Sequence, residues 1–452
     1  MDKSVNKKVI NLNSVDNEWK LFFGLQDKNA PNTPEELQKS DLTKISATVP
    51  GNVEIDLERD GIIKNPMLGD NVYDLRQYET YQWWYVREFN KPKFEDTERV
   101  ELCFDGIDCM ADIWLNNNLI ANIENMFVEH HFDITDYLQE KNVIHVHIKS
   151  TELKTRDYVR NHLGIRQDQL SQSVNIRKAP HMFGWDIMPR LLSAGIWKDV
   201  KLEIIKPTYF SSVYWVTKEI DTKNNTASMY VDWQFHTDRL NIDDLKLNFE
   251  LQRSGQVVFE KIIHVITTVG RENISNLKDI EFWWPRGFGN AVLYQASLTI
   301  TDDKNNVLAV NNQEIGIRTA ELIYTPINTK ENPGDFHFRI NGERIFAKGT
   351  NWVPLDALHS RDIQHLESAF NMLLDLNCNM VRLWGGNVYE GDKFYELCDK
   401  NGIMVWQDFS MGCTIYPQDI AFQQKIKTEA EKVIRRLRNH ASLVLWAGNN
   451  EN

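Results

Sequence analysis

The sequence predicts a multidomain chain in which two successive β-rich regions precede the first half of a parallel (β/α)8 barrel. Its 452 residues suffice for two to four domains at ~100–200 residues each. In roughly the first 320 residues, short aromatic and β-branched runs alternate with turn-rich segments, as in β-sandwiches. Later in the chain, strands alternate with helices, which indicates a parallel sheet.

The first region, residues 1–207, contains aromatic and alternating strand patterns. Residues 83–89 are aromatic and β-branched, and residues 144–148 alternate strictly between apolar residues and histidine. We therefore expect His145 and His147 to occupy solvated strand positions rather than to bind metal. The second region, residues 208–322, has the length and the short strands of one immunoglobulin-type sandwich.

The third region, residues 323–452, begins with a polar stretch at 325–335 that we interpret as a linker. A hairpin with Asn341-Gly342 at its turn follows. Strands are predicted at 344–349, 379–384, 403–406 and 442–447, with helices between them, the first capped by Ser360. Because such a barrel typically has ~250 residues, this region holds about half of one. An open strand edge is then expected, which suggests truncation or a partner that completes the sheet.

Composition excludes several classes of function. The net charge of −13 argues against nucleic acid and anionic membrane partners, which need a basic surface. The five cysteines show no C-x-x-C spacing, so neither a zinc site nor a disulfide framework is indicated. The sequence shows no cofactor motif, no apolar run long enough to span a membrane, and no apolar segment of a signal peptide. We expect a cytoplasmic protein, or a periplasmic or secreted one if the start is trimmed.

The segment most informative about function is Trp446-Ala-Gly-Asn-Asn-Glu451, which follows the fourth predicted strand of the barrel region. Groups at the carboxyl ends of barrel strands face the active site. From the pattern alone, a catalytic acid and an ordinary loop are equally compatible with this segment.

Several motifs together resemble glycoside hydrolase family 2, in its β-mannosidase-like branch. Besides the Glu451 segment they are residues 104–108, 184–186, 195–197, 283–285, 348–354, 379–390, 405–409 and 434–443. The resemblance implies a jelly-roll sugar-binding-type domain, an immunoglobulin-like β-sandwich and then a partial TIM barrel. It also implies a retaining exo-β-glycosidase, most similar to a β-mannosidase, that hydrolyses non-reducing-end β-D-mannose residues of an oligosaccharide without cofactor or metal. Such enzymes use two carboxyl groups ~5–5.5 Å apart.

The resemblance assigns roles residue by residue. Glu451 matches the acid/base, Asn450 a contact to the sugar 2-hydroxyl or the nucleophile, and Trp384 the aromatic wall of the terminal sugar site. Asp186 matches a residue that binds the distal hydroxyls of the terminal sugar, and Arg382 one that supports the nucleophile. No residue of this chain matches the nucleophile, so we expect the 452-residue chain to be inactive alone.

Other acidic and basic residues receive structural roles. We assign Asp408 and Glu390, both near strand ends, to supporting positions, and we expect buried Arg382 to pair with an inward carboxylate. His359, His365 and His440 lack metal-ligand spacing and are interpreted as capping or packing residues.

Two positions depart from the branch. Asn387 replaces a third glycine after Trp384, and Ile187-Met188 replaces Trp-Gly after Asp186. The choice of sugar therefore stays open. The alternatives are another family 2 activity, β-glucosaminidase or β-galactosidase, and a carbohydrate-binding pseudo-enzyme.

Overall fold

Alternating apolar side chains fold the first domain into a sandwich of antiparallel sheets in the computed structural model, which describes residues 7–14, 18–158 and 170–451. Its strands are β1 (Lys7–Asn11), β2 (Lys20–Leu25), β3 (Thr43–Ser46), β4 (Tyr81–Asn90), β5 (Arg99–Phe104), β6 (Met110–Leu115), β7 (Asn118–Glu124), β8 (His130–Asp133), β9 (Lys141–Ile148) and β10 (Val200–Ile205). They form the sheets β1-β10-β5-β8 and β3-β2-β4-β9-β6-β7, and Trp19, Leu102 and Val146 lie in the core between them. The predicted β-sandwich is confirmed.

Short helices lie between these strands in the chain. They are α1 (Pro34–Lys39), α2 (Val53–Arg59), α3 (Thr151–Thr155) and α4 (Leu170–Ser173), with 3-10 turns at Asn71–Thr80, Thr135–Tyr137 and Pro180–Phe183. Within the ranges that the structure describes, no helix is both long and apolar enough to cross a membrane.

The prediction that His145 and His147 are solvated is wrong. Both side chains are buried, because β9 lies between β4 and β6 and its second face is covered as well. The His147 ring stacks on Trp84 with 4.0 Å between ring centroids, and its Nε2 donates to Gln82 Oε1 over 2.7 Å. Burial lowers the pKa of His145 to about 4 and that of His147 to about 3.

The second domain is the immunoglobulin-like sandwich that the sequence predicts. Its strands are β11 (Tyr209–Asp221), β12 (Thr226–His236), β13 (Lys246–Arg253), β14 (Gln256–His264), β15 (Val269–Leu277), β16 (Tyr294–Thr301) and β17 (Val307–Ile315). The sheets β11-β12-β15 and β14-β13-β16-β17 pack face to face, and Trp233 meets Phe249 edge-on at 5.7 Å between ring centroids.

A hairpin sheet leads into the barrel. It consists of β18 (Ala320–Tyr324), β19 (Phe336–Ile340) and β20 (Glu343–Ile345), with Asn341 and Gly342 at positive φ in the predicted turn. Residues 325–335 connect two paired strands, so they form a hairpin loop rather than a linker between domains.

The half barrel follows as alternating strands and helices: β21 (Gly349–Trp352), α5 (Asp362–Asp375), β22 (Met380–Leu383), α6 (Asp392–Asn401), β23 (Met404–Asp408), α7 (Ile420–Leu437) and β24 (Leu443–Ala447). The strands are parallel in the order β21-β22-β23-β24, as predicted. The first barrel strand starts later than expected, because residues 343–345 pair with β19 instead. Ser360 lies in a 3-10 turn (His359–Arg361) and does not cap α5.

Candidate active site

The parallel order of the barrel strands brings their carboxyl ends to one edge of the sheet. Trp384 directly follows β22, Asp408 ends β23, and Asn450 and Glu451 follow β24. In barrels this edge carries the functional groups. Residues separated by more than 60 positions in the sequence thus become neighbours, as Arg382 and Asn450 illustrate.

Arg382, Asp408 and Asn450 form a hydrogen-bonded group at this edge, which we call the open network. The Arg382 guanidinium donates from Nη2 to Asp408 Oδ2 over 2.6 Å and to Asn450 Oδ1 over 3.0 Å. Asp408 is buried, and it also accepts from Trp406 Nε1 over 2.9 Å. Burial raises the pKa of Asp408, while the Arg382 guanidinium lowers it and offsets part of that rise. The expected carboxylate partner of Arg382 is therefore Asp408.

The loop after β23 holds Asn450 and Glu451 in position. The Asn450 backbone donates to Met411 O over 3.0 Å and accepts from Cys413 N over 2.8 Å. The Cys413 thiol donates to Glu451 Oε2 over 3.1 Å and accepts from Asn450 Nδ2 over 3.2 Å. Glu451 itself is exposed, with its backbone at φ 55. The predicted acid/base thus faces solvent while the residue before it is fixed.

The first domain contributes to the rim of this edge. Trp185 meets the buried Trp384 edge-on, with ring centroids 4.9 Å apart. The backbone of His181 donates to Gly386 O over 3.1 Å, which anchors the same segment on the barrel. Asp186, next to Trp185, is exposed.

The predicted site residues therefore fall into two groups. Arg382, Asn450 and Glu451 are joined directly or through Cys413, whereas Trp384 and Asp186 are associated through Trp185. Two cavities among the described residues, of about 810 and 610 Å³, are lined by none of Trp384, Asp186 and Glu451. The cavity of about 610 Å³ reaches the segment after β24, because Met411, Tyr416 and Asn449 are among the residues that line it.

Two contributors were missed by the sequence analysis. Cys413 lies in a loop without a motif, and only its position after a barrel strand could have drawn attention to it. Trp185 belongs to the same motif as Asp186, but its contact with Trp384 depends on how the two domains pack.

Glu390 accepts from Trp352 Nε1 over 3.0 Å, and burial raises the pKa of Glu390 to about 7. His359 and His440 bond to the aspartates Asp362 and Asp399 on the barrel.

Three family models match consecutive parts of the chain. Residues 29–198 match the glycosyl hydrolase 2 galactose-binding domain-like family, residues 208–318 match glycosyl hydrolases family 2, and residues 334–452 match the TIM barrel domain of glycosyl hydrolases family 2. The chain belongs to glycoside hydrolase family 2. The same models agree with the sequence-based order of a sugar-binding-type sandwich, an immunoglobulin-like sandwich and a TIM barrel.

Individual family 2 relatives agree with the β-mannosidase-like resemblance. The chain is 32% identical to "Beta-mannosidase B" of Aspergillus clavatus over 411 residues and 33% identical to the "Beta-mannosidase" of Bos taurus over 435 residues. These matches cover 89% and 90% of this chain but 48% of each relative, so the chain spans about half the length of the curated relatives it matches.

Two solved structures are similar to nearly the whole chain. A β-D-mannosidase from Dictyoglomus thermophilum superposes with a TM-score of 0.83 at 32% identity, covering 98% of this chain and 52% of that one. A β-glucuronidase from Bifidobacterium dentium superposes with a TM-score of 0.71 at 20% identity, covering 98% of this chain and 68% of that one. The second likeness concerns the fold alone.

Proposed function

We propose that Glu451 is the general acid/base of a retaining β-glycosidase. The observation that carries the proposal is the hydrogen-bonded line from Asp408 through Arg382 to Asn450, which fixes the residue before Glu451 at the barrel edge. A catalytic acid needs a fixed backbone and access to substrate, and Glu451 combines an anchored neighbour with an exposed carboxyl group. Family 2 membership supports the same assignment.

We propose further that the substrate is the non-reducing-end β-mannose of an oligosaccharide. The names of the Aspergillus, bovine and Dictyoglomus relatives support mannose as the sugar. The contact between Trp185 and Trp384 supports exo action, because a loop of the first domain then limits the barrel edge on one side. Exposed Asp186 in that loop is available for the hydroxyl groups farthest from the bond that breaks.

The chemistry assigns a task to each side chain. Protonated Glu451 donates its proton to the glycosidic oxygen while a second carboxylate attacks the anomeric carbon, and the Glu451 carboxylate later removes a proton from the water that releases the sugar. One Asn450 Nδ2 hydrogen is donated to Cys413 Sγ. An amide nitrogen carries two, so the other remains for a sugar hydroxyl. The attacking carboxylate is not assigned to any of these 452 residues.

The test replaces Glu451 by alanine in the protein at the length that its gene encodes. We expect hydrolysis of mannosides with poor leaving groups to fall about 10²–10⁴-fold, since general acid catalysis contributes that much. Dinitrophenyl mannoside, whose leaving group needs no proton, should keep its first step, and added azide should restore turnover with formation of β-mannosyl azide. Glu431→Gln on the exposed face of α7 is the matched control and should leave all rates unchanged.

Two results would count against these proposals separately. If Glu451→Ala hydrolysed poor and good leaving groups equally well, the acid/base assignment would be wrong. If a panel of nitrophenyl glycosides gave release only from the galactoside or the glucosaminide, the mannosidase proposal would fail while the acid/base assignment stood. Binding of mannose without hydrolysis by the complete gene product would favour the pseudo-enzyme.

A further inference from the structure

A group of possible metal ligands lies on the outer face of the β1-β10-β5-β8 sheet of the first domain, where His131 lines a cavity that Glu390 and Arg436 of the barrel also line. Strand register explains why they meet: Cys103 pairs with His131 across β5 and β8, and Glu101 pairs with Glu203 across β5 and β10. Glu101 and Cys103 are two residues apart, so both point away from the core side that Val100, Leu102 and Phe104 fill. We call these four residues the Cys103 cluster.

The ligand atoms of the Cys103 cluster are close enough for one ion. One sulfur, one imidazole nitrogen and two carboxylate oxygens all lie within 4.8 Å of one another. Cys103 Sγ is 3.2 Å from His131 Nδ1, which is 3.5 Å from Glu101 Oε2. Small side-chain shifts would bring the four atoms onto a tetrahedron, the usual geometry of zinc.

The surroundings of the Cys103 cluster orient its ligands independently. His131 Nε2 lies 3.4 Å from Glu129 Oε2, which leaves Nδ1 directed at the thiol. Metal-binding histidines almost always donate their second ring nitrogen to such an oxygen. Arg99 binds Glu101 Oε1 over 3.0 Å, which leaves the other oxygen of that carboxylate, Oε2, on the His131 side.

We propose that the Cys103 cluster is a zinc site that joins β5, β8 and β10. Thiolate, imidazole and carboxylate together favour Zn²⁺ over Mg²⁺ or Ca²⁺, which prefer oxygen alone. Binding releases the thiol proton and any proton on His131 Nδ1 to solvent. Exposed His131 lies on the side from which the ion can enter, and buried Cys103 and Glu203 supply ligands on the inner side of the site. This site is separate from the proposed glycosidase chemistry.

Two lysine ammonium groups must move away from Glu203 before the ion can bind. Lys7 Nζ lies 2.6 Å from Glu203 Oε2 and Lys201 Nζ lies 3.6 Å from Glu203 Oε1. Both side chains are about a quarter exposed, at 25% and 24%, so their ammonium groups can turn into solvent. The sequence does not indicate a zinc site because its cysteines lack C-x-x-C spacing, and a site assembled from three separate strands does not need that spacing.

The test is a cobalt titration of the metal-free 452-residue chain, because Co²⁺ occupies zinc sites and absorbs light. We expect one Co²⁺ per chain, visible bands of tetrahedral coordination and a near-ultraviolet sulfur-to-cobalt band, all displaced by Zn²⁺. Cys103→Ser should abolish the sulfur-to-cobalt band. Cys378→Ser, which replaces a buried cysteine of the barrel, should preserve that band. Glu129→Gln should weaken binding about 10–100-fold through the orientation of His131.

The opposite results overturn the proposal. Absence of a sulfur-to-cobalt band in the unmodified chain, or its persistence in Cys103→Ser, would exclude the site. If Cys103→Ser fails to fold by circular dichroism, His131→Gln decides, because that side chain is exposed and its replacement leaves the core intact. Unchanged cobalt affinity in His131→Gln would exclude the site equally.

Discussion

Two arginine–carboxylate networks in this molecule have nearly the same geometry but different surroundings. In the open network, Arg382 and Asp408 are 2.6 Å apart, with side chains 26% and 0% exposed. Between the first domain and α7, Arg177 and Glu429 are 2.7 Å apart, with side chains 1% and 2% exposed. Exposure, rather than distance, therefore separates a charge pair that can meet a ligand from one that joins domains.

The network at Glu429, which we call the closed network, comprises Asn125, Arg177, Tyr389 and Glu429. Arg177 donates to both Glu429 oxygens, and Asn125 Nδ2 and the Tyr389 hydroxyl donate to one oxygen each, over 2.8 and 2.9 Å. Because the Glu429 carboxylate receives all four of these hydrogen bonds in a buried position, the closed network has no room for substrate. Its role is to hold the first domain, and with it the Trp185 loop, against the barrel.

The largest expected effect comes from Glu429→Gln, which removes the charge of the closed network and keeps its size. Arg177 then stays buried without a counter-charge, and breaking such a pair lowers the free energy of unfolding by about 3–5 kcal/mol. Denaturant unfolding followed at the first domain and at the barrel would measure the loss. Glu431→Gln, two residues along α7 and exposed, should change stability by less than about 0.5 kcal/mol. Equal effects of the two variants would contradict the structural role of the closed network.

Arg382→Met should have a smaller effect on stability and a larger one on function. Asp408 loses its cation, but Arg382 is partly exposed and water can replace some of the charge, so we expect a loss of about 1–3 kcal/mol. Mannoside hydrolysis by the complete gene product should fall more steeply, because Asn450 loses its anchor. Arg382→Lys keeps the charge without the planar fork and should restore stability better than activity. If Arg382→Met destabilised the chain as strongly as Glu429→Gln and left hydrolysis unchanged, the open and closed networks would not differ in role.

Most of the fold follows from local patterns in the sequence. Period-two alternation, helical spacing and the Asn341-Gly342 turn predict the two sandwiches, the hairpin and the half barrel, because each pattern reports its own segment. The errors arise where tertiary packing decides. His145 and His147 alternate like surface residues, yet a central strand of a covered sheet buries both faces. Residues 325–335 look like a linker, and only the pairing of β18 with β19 makes them a hairpin loop.

The candidate site was predictable where its residues lie at strand ends and not where loops or other domains supply them. The family resemblance assigned Arg382, Trp384 and Asn450, and all three lie in or after barrel strands, whose carboxyl ends meet at one edge. Cys413 sits at positive φ in a loop whose path no pattern specifies. The closed network connects residues more than 250 positions apart, as Arg177 and Glu429 are, and no local signal predicts such a pair.

Acidification should weaken the interface that contains the closed network. His181 is buried there, 2.7 Å from His359 Nε2, and burial together with His359 and Lys178 holds the pKa of His181 well below its usual value of 6.5. The unfolded chain therefore takes up a proton that the folded chain refuses, so stability is lost as pH falls below about 6.5, by at most about 1.4 kcal/mol per pH unit for this residue. His145 and His147 add to the same slope.

Unfolding free energies measured from about pH 7.5 down to about pH 5 would check this sign. His181→Gln should flatten the slope by up to one proton, since glutamine cannot titrate but can still bond to His359. Raised carboxyl pKa values, such as that of Glu390, oppose this slope, so the difference between the unmodified chain and His181→Gln is the decisive quantity. If His181→Gln left the slope unchanged, His181 would accept a proton within the fold. The interface between the first domain and the barrel, which contains the closed network, would then admit water.

The smallest expected effect concerns Cys413, which links the open network to Glu451. Cys413→Ala removes the thiol donor and should slow hydrolysis of mannosides with poor leaving groups about two- to tenfold, the value of one neutral hydrogen bond of ~0.5–1.5 kcal/mol. Dinitrophenyl mannoside should be affected less, because its departure does not need the Glu451 proton. Cys413→Ser keeps a donor and should restore most of the rate. A loss that is equal for both leaving groups would mean that Cys413 only packs the loop, and the open network would then end at Asn450.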